Sequence, residues 1–143
     1  MPITKAKLMD KNEKLLERAR EAKERAYCRY SSFPVGAAIL FEDGSVVEGC
    51  NVENASFSLT ICAERVAMTR AIAEGKSRPV AVAVTGKTPG PLTPCGACRQ
   101  FLAEFNLEME VVSQGTSGEI AVYKLSDLLP AAFVPEDLDK KDS

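Results

Sequence analysis

Five cysteines and not one histidine set the terms for any chemistry that this chain of 143 residues performs. Three of the cysteines fall in two short segments, Thr60-Ile61-Cys62-Ala63-Glu64-Arg65 and Thr93-Pro94-Cys95-Gly96-Ala97-Cys98-Arg99-Gln100. The spacing Cys95-x-x-Cys98 puts two sulfurs one turn apart on one face of a helix, and Cys62 opens a second helical stretch. A thiol at a helix N-terminus meets the positive end of the helix dipole and free backbone N–H groups, which favours the thiolate. Three thiolates leave zinc one open position, the arrangement of a catalytic site rather than a structural one. Glu64, two residues after Cys62, is near enough to that position to move protons to and from a water there.

The missing histidine removes Ser-His-Asp and Cys-His chemistry within one chain, so a general base near neutral pH falls to a carboxylate. Three thiolates around Zn2+ leave a formal charge of -1, which weakens the metal as a Lewis acid. Arg65 and the two helix ends are the groups expected to offset it. Taken alone, Cys95-x-x-Cys98 is also the spacing of a redox dithiol or a structural zinc site. Cys50 is a candidate fourth ligand that would close the site, although its place at a strand end before Asn51 reads as a core cysteine, and Cys28 reads the same way. A zinc-stabilised protein without activity is thus the competing class. Glu64 argues against it, because a structural site has no use for a carboxylate beside its open position.

These segments need a frame. Asp10 to Ala26 is expected to be an amphipathic helix with Leu15, Leu16, Ala19, Ala22 and Ala26 inward. Val35 to Phe41 and Ser45 to Cys50 read as two strands around the turn Glu42-Asp43-Gly44, and Asn51 to Thr60 as a loop. A helix is expected from Cys62 to Glu74, stopped by Gly75; its apolar residues, Ile72 among them, spread around the circumference of a largely buried helix. Val80 to Thr85 reads as a buried strand, Gly86 to Pro94 as an ordered loop, and Pro94 to Phe105 as a helix with Ala97, Phe101, Leu102 and Phe105 inward. Met109 to Ser113 and Ile120 to Lys124 are expected as strands, and Ser126 as the cap of one helical turn ending at Pro130. The order α-β-β-α-β-α-β-β defines an α/β layered fold with a mixed sheet, parallel across helical connections and antiparallel at hairpins.

The length suits one domain over residues 1–134, with residues 135–143 as a C-terminal tail expected to be loose or to lie on a partner. No Lys/Arg cluster stands out and the net charge is -2, so a nucleic acid polymer is not an expected partner. No apolar run is long enough for a membrane span. Met1 to Lys14 is charged and lacks the apolar stretch of a signal peptide. Cytoplasmic location is the expectation, and an odd number of cysteines with a close pair fits a reducing compartment.

Cys-Ala-Glu followed by Pro-Cys-x-x-Cys resembles the signature of zinc-dependent deaminases, in the variant with cysteine at the first ligand position. The resemblance widens to the small cytidine deaminases through Tyr30-Ser31-Ser32-Phe33-Pro34-Val35-Gly36-Ala37-Ala38 and Gly49-Cys50-Asn51-Val52-Glu53-Asn54-Ala55-Ser56, and covers Ala26 to Phe133. It implies a three-layer α/β/α fold with a five-stranded mixed sheet and one Zn2+ per subunit on Cys62, Cys95 and Cys98. It implies hydrolytic deamination of cytidine and 2′-deoxycytidine in pyrimidine salvage, with Glu64 protonating N3 and then the leaving amine. Substrate contacts are implied at Phe33, Asn51, Glu53, Ala63, Thr93 and Phe133. Asn51 and Glu53 match a pair that binds ribose hydroxyls, and Phe33 an aromatic against the nucleoside. The carbonyl of Thr93 matches one that faces the leaving amine, and Phe133 an aromatic that reaches a neighbour's site in a homotetramer. A deaminase of the same mechanism acting on a modified cytosine nucleoside is the near alternative. The chain departs from the family pattern at Phe57, where tyrosine is usual, and at Arg29, where proline is usual.

Overall fold

A computed structural model describes residues 5–139, with side chains from Lys11 onward. Strands β1 (Gly36–Phe41), β2 (Val46–Cys50), β3 (Pro79–Thr85), β4 (Glu110–Gln114) and β5 (Ile120–Lys124) form one sheet in the order β2-β1-β3-β4-β5. β3 and β4 are parallel; the other three pairings are antiparallel. The connection from β2 to β3 skips over β1, so these two strands run the same way without touching. The sheet is therefore mixed, and its parallel pair lies at the helical crossover where the order of elements places it.

Alternation along the strands sorts the core into two layers. Ala37, Ile39, Val82, Val84 and Val111 pack with Ala63, Ala67, Met68, Leu102 and Ala103. These come from helices α2 (Ala63–Ala73) and α3 (Gly96–Ala103) on one face. Ala38, Ala81, Ala83 and Val112 point the other way, onto Leu15, Leu16 and Ala19 of α1 (Lys5–Lys23). The small residues on that face allow α1 to lie close. A Cβ at Gly36 would sit 2.7 Å from the Lys23 backbone nitrogen, closer than any side chain tolerates.

Several boundaries differ from the sequence expectation for local reasons. α1 begins earlier and ends at Lys23, because Glu24 to Ala26 leave in a turn that delivers Tyr27 to a bridge with Val52. The segment expected as a plain loop, Asn51 to Thr60, carries two bridges at Val52 and a single 3-10 turn at Phe57–Leu59. α2 stops at Gly75 (φ +87°), where Lys76 N–H donates to the Ala71 carbonyl and Gly75 N–H to that of Ile72, a left-handed cap only glycine adopts without strain. Ile72 itself faces outward, 42% exposed, and Ala97 is exposed beside Cys95 rather than inward. α3 ends at Ala103, two residues early, as Asn106 turns to donate its side chain to the Pro79 carbonyl. Ser126 does not cap α4 (Leu125–Leu128): Lys124 occupies that position with no side-chain cap, and the Leu125 N–H is anchored on the Met109 carbonyl. Of the C-terminal tail, residues 135–139 form the short helix α5 (Pro135–Asp139), and residues 140–143 lie outside the described residues.

Candidate metal centre and active site

Cys62 and Cys95 are the N-cap residues of α2 and α3, both in extended conformation, and neither side chain is spent on capping. Their sulfurs are left free while the first-turn N–H groups of two helices converge on them. The sulfurs of Cys62, Cys95 and Cys98 all lie within 4.8 Å of one another, with Cys62 to Cys95 at 3.9 Å. Thiolates at about 2.3 Å from a tetrahedral zinc stand about 3.8 Å apart, so the donor set fits that ion. Among the described residues no other His, Cys, Asp or Glu joins the group. Cys50 is elsewhere, its thiol donating to the Arg25 carbonyl at 3.4 Å, and burial pushes that thiol up. All five cysteines are free.

The electrostatics show what the cluster is built for. Hydrogen bonds from Cys98, Arg65 and Cys95 bring Cys62 down to about 5. The same contact with the Cys62 sulfur, then burial and the Glu64 charge, push Cys98 far up. The Cys62 sulfur is thus favoured as a thiolate while that of Cys98 is not, and a bound cation would favour the charged form of both. Arg65 Nη2 donates to the Cys62 sulfur at 3.7 Å and to the Thr60 carbonyl at 3.4 Å. Its Nε is buried with no partner among the described residues. Glu64, in the first turn of α2 and 3% exposed, is pushed up to about 7, chiefly by burial and further by the Cys62 charge. A carboxyl poised there can both take and give a proton near neutral pH.

A strapped loop is tied in through Val52, whose bridge to Ile61 sets it against the segment that leads into Cys62. Glu53 Oε1 accepts from the N–H groups of Tyr30 and Ser31, both at 3.0 Å, and Oε2 from the Ser31 hydroxyl. These bonds, the Ser31 hydroxyl first, lower the Glu53 pKa. Asn51 accepts from Val35 N–H and donates to the Phe33 carbonyl, both at 2.9 Å. Between these straps Ser32 takes φ +56°, a left-handed conformation costly for a non-glycine residue and held by its surroundings. Phe33, 37% exposed, lies over Gly86. The two residues expected at a sugar are therefore also the two that fix the Phe33 loop. Ala63 is fully buried at the start of α2. Phe133 is 56% exposed, with its carbonyl held by Gln100 Nε2 of α3 at 2.8 Å.

Arg99 is the residue that sequence reasoning passed over. Its guanidinium donates three bonds of 2.8 Å: Nε to the Pro94 carbonyl, Nη2 to Thr93 Oγ1 and Nη1 to the Leu128 carbonyl. Its position inside the Pro94–Gln100 segment was the available signal. A partner 29 residues away along the chain leaves no trace in periodicity.

Fold and site together define a centre where three sulfurs can hold one metal ion beside a buried carboxyl, set across two helix N-termini of an α/β/α sandwich. Comparison with known proteins agrees. The cytidine and deoxycytidylate deaminase zinc-binding region matches residues 9–114. The chain is 49% identical over 127 residues to the cytidine deaminase of Sporosarcina psychrophila, covering 88% of this chain and 93% of that one. It superposes with a TM-score of 0.82 on the crystal structure of cytidine deaminase from Burkholderia pseudomallei, at 48% identity, covering 85% of this chain and 98% of that one. With the cytidine deaminase structure from Mycobacterium tuberculosis the TM-score is 0.75 and the identity 41%, covering 85% and 95%. The chain belongs to the cytidine and deoxycytidylate deaminase family, and the metal its three sulfurs accommodate is zinc.

Proposed function

We propose that the protein hydrolyses cytidine and 2′-deoxycytidine to uridine and 2′-deoxyuridine with release of ammonia. The observation that carries this reading is the buried Glu64 beside three sulfurs that leave a metal one position open. Zinc held by Cys62, Cys95 and Cys98 supplies the Lewis acidity that makes water a nucleophile near neutral pH. Glu64 takes a proton from the attacking water and delivers it to N3 of the ring. It then passes the second proton to the 4-amino group, so that a C4–O bond forms, the C4–N bond breaks and ammonia leaves. Arg65 draws electron density from the Cys62 sulfur and so restores Lewis acidity to an electron-rich centre.

The nucleoside is held by the strapped loop and the helix start. Phe33 packs against it, and Asn51 and Glu53 meet the sugar hydroxyls with the valences their loop bonds leave over: one Nδ2 hydrogen and free carboxylate lone pairs. Ala63 offers a first-turn N–H of the kind a helix leaves unpaired, suited to the carbonyl oxygen of the base. The Thr93 carbonyl accepts from the departing amine.

Self-association into a homotetramer completes the site in this reading. Phe57, Leu59 and Ile61, 75%, 62% and 40% exposed, run directly into Cys62, and an apolar rim of that kind marks a surface that a partner covers. Phe133 reaches across to a neighbour's site. The free cysteines suit a reducing, cytoplasmic setting and pyrimidine salvage there. No helix among the described residues is long and apolar enough to cross a membrane.

The test follows the ultraviolet loss of cytidine and the release of ammonia by the zinc-loaded protein and by Glu64→Gln. Turnover in the first and a fall of about 100-fold or more in the second, with zinc retained, is the expected result. A zinc-loaded protein that leaves cytidine and deoxycytidine untouched would overturn the reading.

A further inference from the structure

The peptide between Thr93 and Pro94 has a particular weakness. Its nitrogen belongs to a proline and carries no hydrogen, so the peptide plane cannot be anchored through an N–H as its neighbours can. Its orientation must be set by the atoms on either side. Both are held by Arg99: Thr93 Oγ1 by Nη2 and the Pro94 carbonyl by Nε, each at 2.8 Å. One residue upstream, the Leu92 carbonyl accepts from the Ser113 hydroxyl. Leu92 O, Thr93 Oγ1 and Pro94 O are thus all occupied by protein donors. The Thr93 carbonyl between them accepts no hydrogen bond from the described residues.

We propose that Arg99 is the positioning residue that fixes the Thr93 carbonyl for the leaving amine, by holding the acceptors on both sides of it. The inference rests on the deaminase reading above. Its third bond, to the Leu128 carbonyl, braces the guanidinium against the C-terminal segment, so that the fork cannot swing away from Thr93 and Pro94. A lysine cannot reproduce this, because one ammonium on a flexible stem does not satisfy three acceptors in a fixed planar geometry. The carbonyl meets an amine in the ground state and a protonated, departing amine later, so the contact strengthens along the reaction. Its loss falls on kcat more than on KM. It also repels the oxygen that replaces the amine in uridine, so it contributes to preferring substrate over product.

The experiment uses the zinc-loaded protein, Arg99→Lys and Thr93→Val, with zinc content and unfolding temperature recorded for each. Arg99→Lys is expected to lower kcat by about 100-fold, the scale of a misplacement of roughly 1 Å, with KM little changed and zinc unchanged. Cytidine and uridine binding is then measured by calorimetry in the Glu64→Gln background, where turnover does not interfere. The preference for cytidine over uridine falls by about tenfold when Arg99→Lys is added, chiefly because uridine binds more tightly once the carbonyl no longer faces its oxygen. Thr93→Val removes one acceptor and leaves two of the three bonds; it shifts both quantities the same way by less. It carries the test alone if Arg99→Lys loses zinc or fails to fold. Turnover within about twofold of wild type in the tested variant, or an unchanged cytidine-to-uridine preference, would overturn the role of Arg99. A wild-type enzyme that neither deaminates nor binds cytidine would instead remove the functional reading beneath it.

Discussion

At the scale of single residues, the centre is a problem in charge. Cys62, at about 5, and Cys98, driven far up, describe two sulfurs competing for one negative charge. Arg65 is the only side-chain cation among the described residues with a hydrogen bond to one of them. Replacing it with Gln in zinc-free protein should raise the Cys62 thiol above about 5, read by thiolate absorbance against pH; an unmoved titration would remove Arg65 from its tuning role. Glu64 gives a second, oppositely signed effect. Its folded pKa, about 7, lies above its ordinary value of 4.5. The unfolded chain therefore ionises first as pH rises, and this group withdraws stability between about pH 4.5 and 7, with none lost below that window. In zinc-free protein, Glu64→Gln should be increasingly more stable than the parent from pH 5 to 8, by an amount of order 3 kcal/mol at the top. Thermal unfolding of both at several pH values tests it, and a constant difference would refute it. The residues of this centre were legible in the sequence because two motifs name them. Arg99 was not, because its role exists only through acceptors brought to it by folding.

At the scale of elements, the site depends on how closely α2 lies on the sheet. A Cβ at Gly49 of β2 would stand 2.7 Å from the Ala63 carbonyl, and would also strike the backbone nitrogen of Ala67. Both neighbours are backbone, and Ala63 separates Cys62 from Glu64. Gly49→Ala should therefore cost roughly 1–3 kcal/mol by overpacking and also loosen zinc, because the start of α2 must move. Gly75→Ala at the other end of the helix has open space around it but a φ of +87°. It should cost about 1–2 kcal/mol through backbone strain and leave zinc affinity alone. Measuring stability and zinc retention for the pair separates the two causes; equal zinc loss in both would contradict the argument. The strands, the hairpin turn and the stop at Gly75 were readable from alternation and turn chemistry. The 3-10 turn at Phe57–Leu59 and the outward Ile72 were not. An apolar residue marks a surface to be covered without saying whether its own chain or another covers it.

For the whole molecule, zinc and association should both register in stability. Any ligand that binds only the folded state adds RT ln(1 + [L]/Kd), about 4 kcal/mol at a thousandfold excess over Kd. Chelation should lower the unfolding temperature and abolish turnover, and added zinc should restore both; recovery of stability without turnover would separate the metal from the chemistry. Leu59→Glu places a charge in the apolar rim beside Cys62 and should yield smaller particles in sedimentation, with zinc retained and activity much reduced. A full-sized, fully active assembly would show that the rim is not an interface.

The sequence by itself determined the kind of chemistry. Ligand identity, the absence of histidine and the carboxylate two residues from Cys62 are properties of residue type and short spacing, which folding does not change. It also determined the alternation that builds two layers on one sheet. Only the tertiary structure decided that Cys50 stands outside the sulfur cluster, that Asn51 and Glu53 strap the Phe33 loop, and that Arg99 grips Thr93 and Pro94. Each of those depends on acceptors or sulfurs placed by the meeting of separate elements. Hydrogen bonds and charge coupling act over a few ångströms of space, whatever the separation along the chain.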